Sequence, residues 1–343
     1  MSGFASTNSP PSSPDIHQVA AELVARLGRC ESCVVAFSGG VDSAVVASAA
    51  ARALGSRALA VTAVSPSLSA AQLKTARRVA AEIGIEHREV ATDEIHDPAY
   101  VKNDNRRCFY CKQTLYQHLQ QLATALGTAE IVSGTNADDT QDYRPGIQAG
   151  RQARVRTPLA DLGIDKAGVR QLAALWGLSV RDAPASPCLS SRLAYGVAVT
   201  PERLAMVEAA EAFLDQHGFS PLRVRLHAGE LARIEVAPEA IVRLLEPPLW
   251  QQTVAALRAA GFRTVTVDLE GFRSGNLNQL VTLSPPAAAA PAAAAPAAAV
   301  PPAAVPAADC ATTEQDTTEQ DTVIAKHTGI AKHASRTGSR TIE

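Results

Sequence analysis

The sequence predicts an α/β fold with a doubly wound parallel sheet, a smaller C-terminal α+β domain and a low-complexity tail. Three observations predict it: apolar segments alternate with amphipathic helices, a glycine turn follows the first strand, and the pattern changes after about residue 200 to a helix and short strands. The predicted divisions are a disordered leader, an α/β domain, an α+β domain and a disordered tail, at residues 1–14, 15–199, 200–283 and 284–343.

The elements follow from the order of these signals. The apolar segment 34–37 is a strand, and the alanine- and valine-rich helix after it, 42–54, ends before a glycine. Ser69 and Gln72 have capping-box spacing at the start of a helix that ends at Gly84. The other predicted elements are strands 58–64 and 87–90, helix 108–126, strand 130–133, helix 202–217 and strands 222–227, 231–236 and 264–269. Repeated strand–helix units of this length are typical of a parallel sheet that binds ligands at the carboxyl ends of its strands.

Composition narrows the class of partner. The 343 residues carry 32 basic and 34 acidic side chains, a formal net charge of −2, and this balance does not predict a nucleic-acid binder. The leader has no apolar h-region and no run of ~18 apolar residues exists, so we expect a cytoplasmic protein without a membrane segment. Six cysteines in that setting indicate metal binding or catalysis before a disulfide framework. The Ala/Pro-rich stretch 285–308 and the polar repeats after it predict an extended spacer and a disordered tail.

The strongest local motif is SGGVDS at residues 38–43, which we call the phosphate loop, between the first strand and its helix. Two glycines let the backbone approach a ligand closely, serine hydroxyls donate to phosphate oxygens, and the helix N-terminus adds backbone N–H groups. The motif lacks the lysine of a Walker A loop and does not match G-x-G-x-x-G. The alternative is a plain glycine-rich turn.

The S-G-G-x-D-S pattern resembles the PP-loop ATP pyrophosphatases, which have a HUP-like fold. The resemblance implies that the loop holds the pyrophosphate of ATP while an acceptor attacks the α-phosphate and becomes adenylated. It also implies Mg²⁺, which Asp42 would assist unless it serves only as a favourable charge at the helix start. Residues 133–139 follow the fourth strand and would face the same nucleotide, unless they form only a turn and a cap. The candidate ATP-binding residues are Ser38, Gly39, Gly40, Asp42, Ser43, Asn136 and Asp138.

Five segments after residue 141 make the resemblance specific to one family. They are DYRPG at 142–146, TPL at 157–159, PASPCLSSR at 184–192, RVR at 223–225 and ARIEV at 232–236. Over about residues 16–273 the chain looks like the LarE family, the ATP-dependent sacrificial sulfur transferases of nickel-pincer cofactor biosynthesis, which serves lactate racemase-type enzymes. The PCLSSR stretch is the most specific part of the match.

The resemblance implies a defined chemistry. LarE adenylates a carboxylate of pyridinium-3,5-biscarboxylic acid mononucleotide, an enzyme cysteine displaces AMP to form a thioester, and elimination leaves dehydroalanine in the protein. By motif position the sulfur donor is Cys188. A thiolate is a suitable nucleophile and needs positive surroundings, which Arg192 would supply unless it holds the substrate phosphate. The alternative for Cys188 is an inert buried cysteine.

The other cysteines divide into two pairs and one isolated residue in the tail. Cys30 and Cys33 lie at the start of the first strand, far from the phosphate loop, and we expect them to be structural. Cys108 and Cys111 follow the third strand and share one helix face at the catalytic edge. With Cys188 they would make the three thiolates that hold a [4Fe-4S] cluster with an open iron in some sulfur-transferring PP-loop enzymes. A redox dithiol or plain packing is the alternative for this pair.

Arginines are the candidate ligands of the substrate phosphate. Arg144 lies inside a matched motif, whereas Arg151 and Arg154 also fit a solvated helix face. Strand alternation puts Arg223 and Arg225 on one face of the second domain. Glu235, on the next strand, would either bind Mg²⁺ or pair with an arginine. The candidate substrate-binding residues are Arg144, Arg192, Arg223 and Arg225.

The implied partners are the small pyridinium mononucleotide, the other enzymes of nickel-pincer cofactor biosynthesis and further copies of the chain, since we expect a homo-oligomer. We expect neither a nucleic acid nor a membrane. A tRNA thiolase with a cysteine-bound Fe–S cluster is the first alternative, and the absence of a basic excess argues against it. An ATP-dependent amidotransferase would need no essential cysteine, and a nucleotide-binding regulator would leave Cys188 unused.

Overall fold

The computed structural model describes residues 15–127, 130–141 and 145–273, all of which fall in one compact unit of the chain. Within these ranges the strands form two sheets, and helices lie between the strands in sequence. The strands are β1 Cys33–Ala36, β2 Ala58–Val64, β3 Glu86–Ala91, β4 Glu130–Ser133, β5 Leu222–His227, β6 Leu231–Val236 and β7 Thr264–Val267. The helices are α1 Ile16–Leu27, α2 Val41–Leu54, α3 Ala70–Ile83, α4 Pro98–Val101, α5 Arg107–Ala125, α6 Ala137–Gln141, α7 Pro145–Gln152, α8 Pro158–Asp161, α9 Lys166–Leu175, α10 Pro201–Gln216, α11 Ile241–Leu244 and α12 Leu249–Ala260.

The first sheet has four parallel strands in the order β3-β2-β1-β4. Side-chain alternation along β1 sends Val34 to one face and Val35 to the other, and both are fully buried. Val35 packs in a core with α1, α2, α3 and α9, while Val34 packs in a second core with α5. Helices therefore cover both faces of a parallel sheet, which confirms the predicted α/β fold.

Local sequence explains how the helices around this sheet begin and end. The α3 helix starts with the predicted capping box, in which the Ser69 hydroxyl accepts from the Gln72 backbone N–H and the Gln72 side chain accepts from the Ser69 N–H. It ends at Gly84, whose φ of +74° is the left-handed conformation that glycine adopts without steric cost. The α2 helix is rich in alanine, so it packs closely against the sheet and its neighbouring helices.

The second sheet combines an antiparallel β5–β6 hairpin with β7, which runs parallel to β6. Its apolar face, with Val224 and Ile234, packs against Leu204 of α10 and Leu257 of α12. Leu189 and Tyr100, which come from the α/β part of the sequence, belong to the same core. The second sheet therefore supports segments that precede it in the chain. A domain boundary near residue 200 stays a prediction.

Several sequence predictions fall on residues outside the described ranges. These are the leader, the Ala/Pro-rich tail, Arg144 and Cys310. In the part of the chain that the structure describes, no helix is both long enough and apolar enough to span a bilayer.

Candidate active site

The phosphate loop joins the end of β1 to the start of α2. The Ser43 hydroxyl accepts a hydrogen bond from the Ser38 backbone N–H at 3.2 Å and donates to the Gly40 carbonyl at 3.0 Å, so the loop is closed on itself. Gly40 is the N-cap of α2 and makes no side-chain cap, which leaves backbone N–H groups of the first turn for an anion. The geometry is that of an anion site at the carboxyl edge of the sheet.

Two glycines permit close contacts around this loop. A Cβ on Gly39, whose φ is +74°, would lie 2.6 Å from the Cα of Ala76 in α3. A Cβ on Gly134, in the segment after β4, would lie 2.6 Å from the Ser43 backbone nitrogen. Real Cβ atoms do not approach so closely, so both positions need glycine. The phosphate loop is thereby held between α3 and the segment that follows β4.

The Asp42 carboxylate is shared by two neighbouring groups. The Asn136 side-chain amide donates to Oδ1 at 2.9 Å, and the Lys166 ammonium lies 2.5 Å from Oδ2. The backbone N–H of Lys166, at the start of α9, donates to the Asp138 carboxylate at 2.9 Å. Asn136, Asp138 and Asp42 are thus brought together, as the sequence predicts, and Lys166 joins them. The sequence analysis did not identify this lysine.

The donor set at this edge fits a magnesium ion that accompanies a nucleotide. Asp138 supplies a carboxylate of the kind that Mg²⁺ prefers. Both oxygens of Asp42 are already paired, with Asn136 and Lys166, so we correct the prediction of Asp42 as a metal ligand. Across the described ranges, no group of three or more His, Cys, Asp or Glu side chains could hold a metal ion by itself. Because Mg²⁺ is usually bound through one or two carboxylates plus substrate phosphates, the residues suit a metal that arrives with ATP.

Residues 184–192, which we call the Cys188 loop, lie against the start of α3. The Leu189 backbone N–H donates to the Ser67 carbonyl at 2.9 Å, and the Gln72 side chain donates to the Ser186 carbonyl at 2.7 Å. Cys188 itself is partly exposed and precedes a short 3₁₀ turn. The loop is therefore fixed to the same helix that the phosphate loop touches.

The α3 helix relates the two loops in space. Gln72, which binds the Cys188 loop, and Ala76, which contacts Gly39, are four residues apart on this helix. Four helical residues rise by ~6 Å, about one turn, so the two contacts lie on successive turns. The phosphate loop and the Cys188 loop therefore pack against successive turns of one helix.

Arg192 holds the Cys188 loop and is not available to a substrate. Its guanidinium pairs with both carboxylate oxygens of Glu211 at 3.0 and 3.1 Å, and it also donates to the carbonyls of Pro187 and Cys188. Only 4% of the residue is exposed. We therefore correct both predictions for Arg192, because its charge is neutralised by Glu211 and its donors are committed to the loop.

Arg225 and Glu235 also have internal partners. Both oxygens of the Glu235 carboxylate accept from Arg225, at 3.1 and 3.0 Å, and Oε1 accepts from Arg233 at 2.9 Å. Glu235 is fully buried. We withdraw Glu235 as a metal ligand, since guanidinium groups occupy both of its oxygens. Arg225 is likewise committed, because its remaining nitrogen donates to the Ser191 carbonyl at 3.0 Å.

Arg223 differs from the other two arginines. It donates to the Ala185 carbonyl at 3.2 Å, its guanidinium lies over the Phe272 ring, and no carboxylate among the described residues forms an ion pair with it. Burial, and then the positive charges of Arg192 and Arg225, lower the pKa of Arg223 to about 10. A partly buried guanidinium that has no ion-pair partner among the described residues favours a bound anion. Arg223 therefore remains the candidate for the substrate phosphate.

Cys108 and Cys111 begin α5 next to Cys188. Cys108 is exposed and Cys111 is partly exposed. Burial, with a further contribution from the neighbouring sulfur of Cys188, raises the pKa of the Cys111 thiol to about 12. Cys111 is therefore a protonated thiol near neutral pH.

Comparison with known proteins agrees with this site. The asparagine synthase family model matches residues 19–102, which include the phosphate loop. An uncharacterised protein of Synechocystis sp. is 46% identical over 255 residues, covering 74% of this chain and 95% of the relative. The pyridinium-3,5-bisthiocarboxylic acid mononucleotide synthase of Lactiplantibacillus plantarum is 36% identical over 272 residues, covering 79% of this chain and 97% of that protein. An uncharacterised protein of Methanocaldococcus jannaschii is 26% identical over 241 residues.

The chain belongs to the LarE family. Its asparagine synthase match places it in the PP-loop superfamily, and the protein is an ATP-utilising enzyme.

The described residues do not fit the [4Fe-4S] cluster that the sequence left open for this LarE protein. In the described ranges the cysteines do not form a group that could hold a metal ion. No observation on the described residues therefore supports a cluster held by Cys108, Cys111 and Cys188.

The cysteines at the opposite edge of the LarE sheet are buried. Cys33 begins β1, and burial raises the pKa of its thiol to about 12. The Cys30 sulfur lies 3.1 Å from a guanidinium nitrogen of Arg156, which also pairs with Glu130. Both cysteines are part of the main core. Their surroundings agree with the structural role expected from the sequence.

Three site residues of this LarE protein escaped the sequence analysis, namely Lys166, Glu211 and Arg107. Lys166 and Glu211 meet partners far away in sequence, Asp42 and Arg192. Arg107 lies next to Cys108 and is buried at the start of α5. The only local signal was the position of a basic residue at a helix start, which by itself gives no partner.

Proposed function

We propose that this protein is a sulfur transferase that activates a carboxylate of pyridinium-3,5-biscarboxylic acid mononucleotide with ATP and delivers the sulfur of Cys188 to it. One observation carries the proposal: the phosphate loop and the Cys188 loop contact successive turns of α3. The name of the L. plantarum relative supports the substrate class.

The first step is adenylation. A substrate carboxylate oxygen attacks the α-phosphorus of ATP, the bond to the β-phosphate breaks, and pyrophosphate leaves. The first turn of α2 stabilises the charge on the departing pyrophosphate, while the Lys166 ammonium offsets the negative charge of Asp42 in the same loop. Magnesium bound to the phosphates would supply further charge neutralisation.

The second step moves the acyl group to sulfur. The Cys188 thiolate attacks the acyl carbon, and AMP leaves with the electron pair of the broken C–O bond. Elimination then transfers the α-proton of residue 188 to solvent water and breaks its Cβ–S bond, whose electron pair goes to the sulfur. The sulfur leaves as a thiocarboxylate, and residue 188 becomes dehydroalanine. Atoms balance without an external sulfur donor or an oxidant, and each chain reacts once.

The substrate phosphate has two proposed ligands. Arg223 is supported by its unpaired positive charge close to the Cys188 loop. Arg144 is proposed from its motif alone, because it lies outside the described residues. The product is a thiocarboxylated pyridinium mononucleotide, which we assign to nickel-pincer cofactor biosynthesis for lactate racemase-type enzymes.

Intact mass spectrometry tests the proposal. Purified protein is incubated anaerobically with ATP, Mg²⁺ and the dicarboxylated mononucleotide, and we expect a mass loss equal to H₂S, mapped to residue 188. Cys188→Ala should retain substrate-dependent ATP–pyrophosphate exchange and lose sulfur transfer, whereas the matched control Cys108→Ser should retain both. Product without a mass loss contradicts the sacrificial step. Full transfer by Cys188→Ala contradicts the assignment of the donor.

A further inference from the structure

Arg107 is a buried cation beside the sulfur site. It is the first residue of α5, and only 6% of it is exposed. One guanidinium nitrogen donates to the Asn103 side chain at 2.6 Å and to the Ser190 carbonyl at 2.7 Å. The second nitrogen lies 3.9 Å from the Cys108 sulfur. Among the described residues no carboxylate pairs with this guanidinium.

The surroundings hold Arg107 firmly in place. Asn103 is fully buried and donates to the carbonyls of Ala194 and Val197 at 2.9 and 2.8 Å. Ser190, whose carbonyl Arg107 binds, is also fully buried, and its hydroxyl lies 2.6 Å from the Tyr100 hydroxyl. The guanidinium is therefore fixed against the Cys188 loop two residues after the cysteine.

Burying a positive charge is costly unless an anion compensates it. The electrostatic neighbours of Arg107 are sulfurs and a phenol. Burial lowers the pKa of its guanidinium, but Cys188 and then Cys108 raise that pKa, and the net direction is upward. Arg107 is fixed to the Ser190 carbonyl, two residues after Cys188, and lies 3.9 Å from the Cys108 sulfur, so an anion that forms on sulfur at this site would compensate its charge.

We propose that Arg107 is a positioning residue that stabilises negative charge on sulfur at the Cys188 site. The inference rests on the proposed function, because sulfur is anionic there at two points. It is a thiolate before it attacks the acyl adenylate and a thiocarboxylate after the Cβ–S bond breaks. One fixed positive charge stabilises both, whereas the intervening thioester carries no charge on sulfur. Arg192, paired with Glu211, does not supply this charge.

Other titratable groups face the same sulfur. Tyr100, Cys111 and Lys112 each interact electrostatically with Cys188. Lys112 is the other cation of this set, and its side chain is exposed with the ammonium 5.9 Å from the centre of the Tyr116 ring. Arg107 differs from it by being buried and by binding the Cys188 loop directly.

The test measures the charge around Cys188 with two alkylating reagents of similar size. Anionic iodoacetate and neutral iodoacetamide react with the native protein, and the rate at Cys188 is followed by peptide mass spectrometry. We expect Arg107→Gln to lower the iodoacetate-to-iodoacetamide rate ratio by roughly three- to tenfold, the effect of one nearby unit charge in partly screened surroundings. Arg107→Lys should retain most of the ratio. The matched control is Arg106→Gln, which removes an exposed charge from the adjacent residue and should leave the ratio unchanged.

The outcomes separate this inference from the proposed function. If both alkylation rates fall equally in Arg107→Gln, Arg107 is a structural residue and the inference is wrong. If that variant does not fold, the wild-type ratio is compared with that of N-acetylcysteine, and equal ratios overturn the inference. Failure of the wild-type protein to transfer sulfur would refute the proposed function, while the alkylation ratio would still report the charge at Cys188.

Discussion

Lys166 links the phosphate loop to the segment after β4 through its side chain and its own backbone. Its ammonium neutralises Asp42 in the phosphate loop, while its N–H binds Asp138 after β4. Without the ammonium, an uncompensated carboxylate would face the triphosphate. The carboxylate of Asp42 would then repel the bound triphosphate.

We therefore expect Lys166→Met to weaken ATP binding by about tenfold or more, the loss of roughly one charge-assisted hydrogen bond. Isothermal titration calorimetry with ATP and Mg²⁺ measures the dissociation constant. Lys102→Met is the control, since Lys102 is an exposed lysine whose ammonium lies 3.7 Å from Asp104 and forms no hydrogen bond or ion pair with the phosphate loop among the described residues. Equal affinity in Lys166→Met and wild type would refute a role for this lysine.

Glu235 is a second residue whose partners decide its role. It is fully buried between Arg225 and Arg233, so its removal leaves two guanidinium groups without their shared anion. We expect Glu235→Gln to lower the free energy of unfolding by about 3 to 5 kcal/mol, as found when one partner of a buried ion pair is removed. Urea denaturation measures this value. Glu89→Gln, at the exposed pair with Arg77, is the control and should change stability little. A small effect of Glu235→Gln would contradict the structural assignment.

At the scale of elements, α3 supports both loops of the site, and Gly39 is where the phosphate loop touches it. Gly39 and Gly84 share a φ of +74°, but only a Cβ at Gly39 would collide with α3. Gly84→Ala should therefore lower the free energy of unfolding by about 1 kcal/mol, which is the effect of the left-handed conformation alone. Gly39→Ala should cost more and should also reduce ATP affinity, because the phosphate loop has to move. Equal losses of stability and unchanged ATP affinity would contradict the close packing of the two elements.

Much of the element order could be predicted because each signal is local. Strands β2, β4, β5 and β6 have the predicted bounds, since their apolar segments end at clear turn residues. The three strands β1, β3 and β7 differ by only one or two residues at their ends. Seven of the described helices were not predicted, namely α1, α4, α6, α8, α9, α11 and α12. Four of them, α4, α6, α8 and α11, have only four or five residues, which carry too little periodicity.

The site was predictable only in part, and for the same reason. The phosphate loop and the segment after β4 were found because each is a local motif at a strand end, and the structure joins them through Asn136 and Asp42. The roles of the arginines were harder to predict. A guanidinium that binds substrate and one that holds a loop look identical in sequence, and only the distant Glu211 shows that Arg192 is the second kind. Long-range ion pairs of this kind carry no local signal.

At the scale of the whole molecule, the described site residues and both sheets lie between residues 15 and 273. The L. plantarum relative is matched over 97% of its own length by 272 residues of this chain. The Ala/Pro-rich stretch and the polar repeats, from residue 284 onward, have no large side chains in a pattern that could build a core. The fold and the ATP site should accordingly not depend on them.

A chain truncated after residue 283 should therefore unfold with a free energy within about 0.5 kcal/mol of the full chain, the usual range for changes away from the core. Its affinity for ATP should also be unchanged. Urea denaturation and calorimetry on both chains measure these values.

Truncation after residue 248 is the comparison, because it removes α12 and the fully buried Leu257 from the second core. That shorter chain should lose the cooperative unfolding of the second sheet, since the contacts of α10 with α12 disappear. If truncation after 283 also destabilises the protein by several kcal/mol, the tail contributes to the fold and its prediction as a disordered segment is wrong.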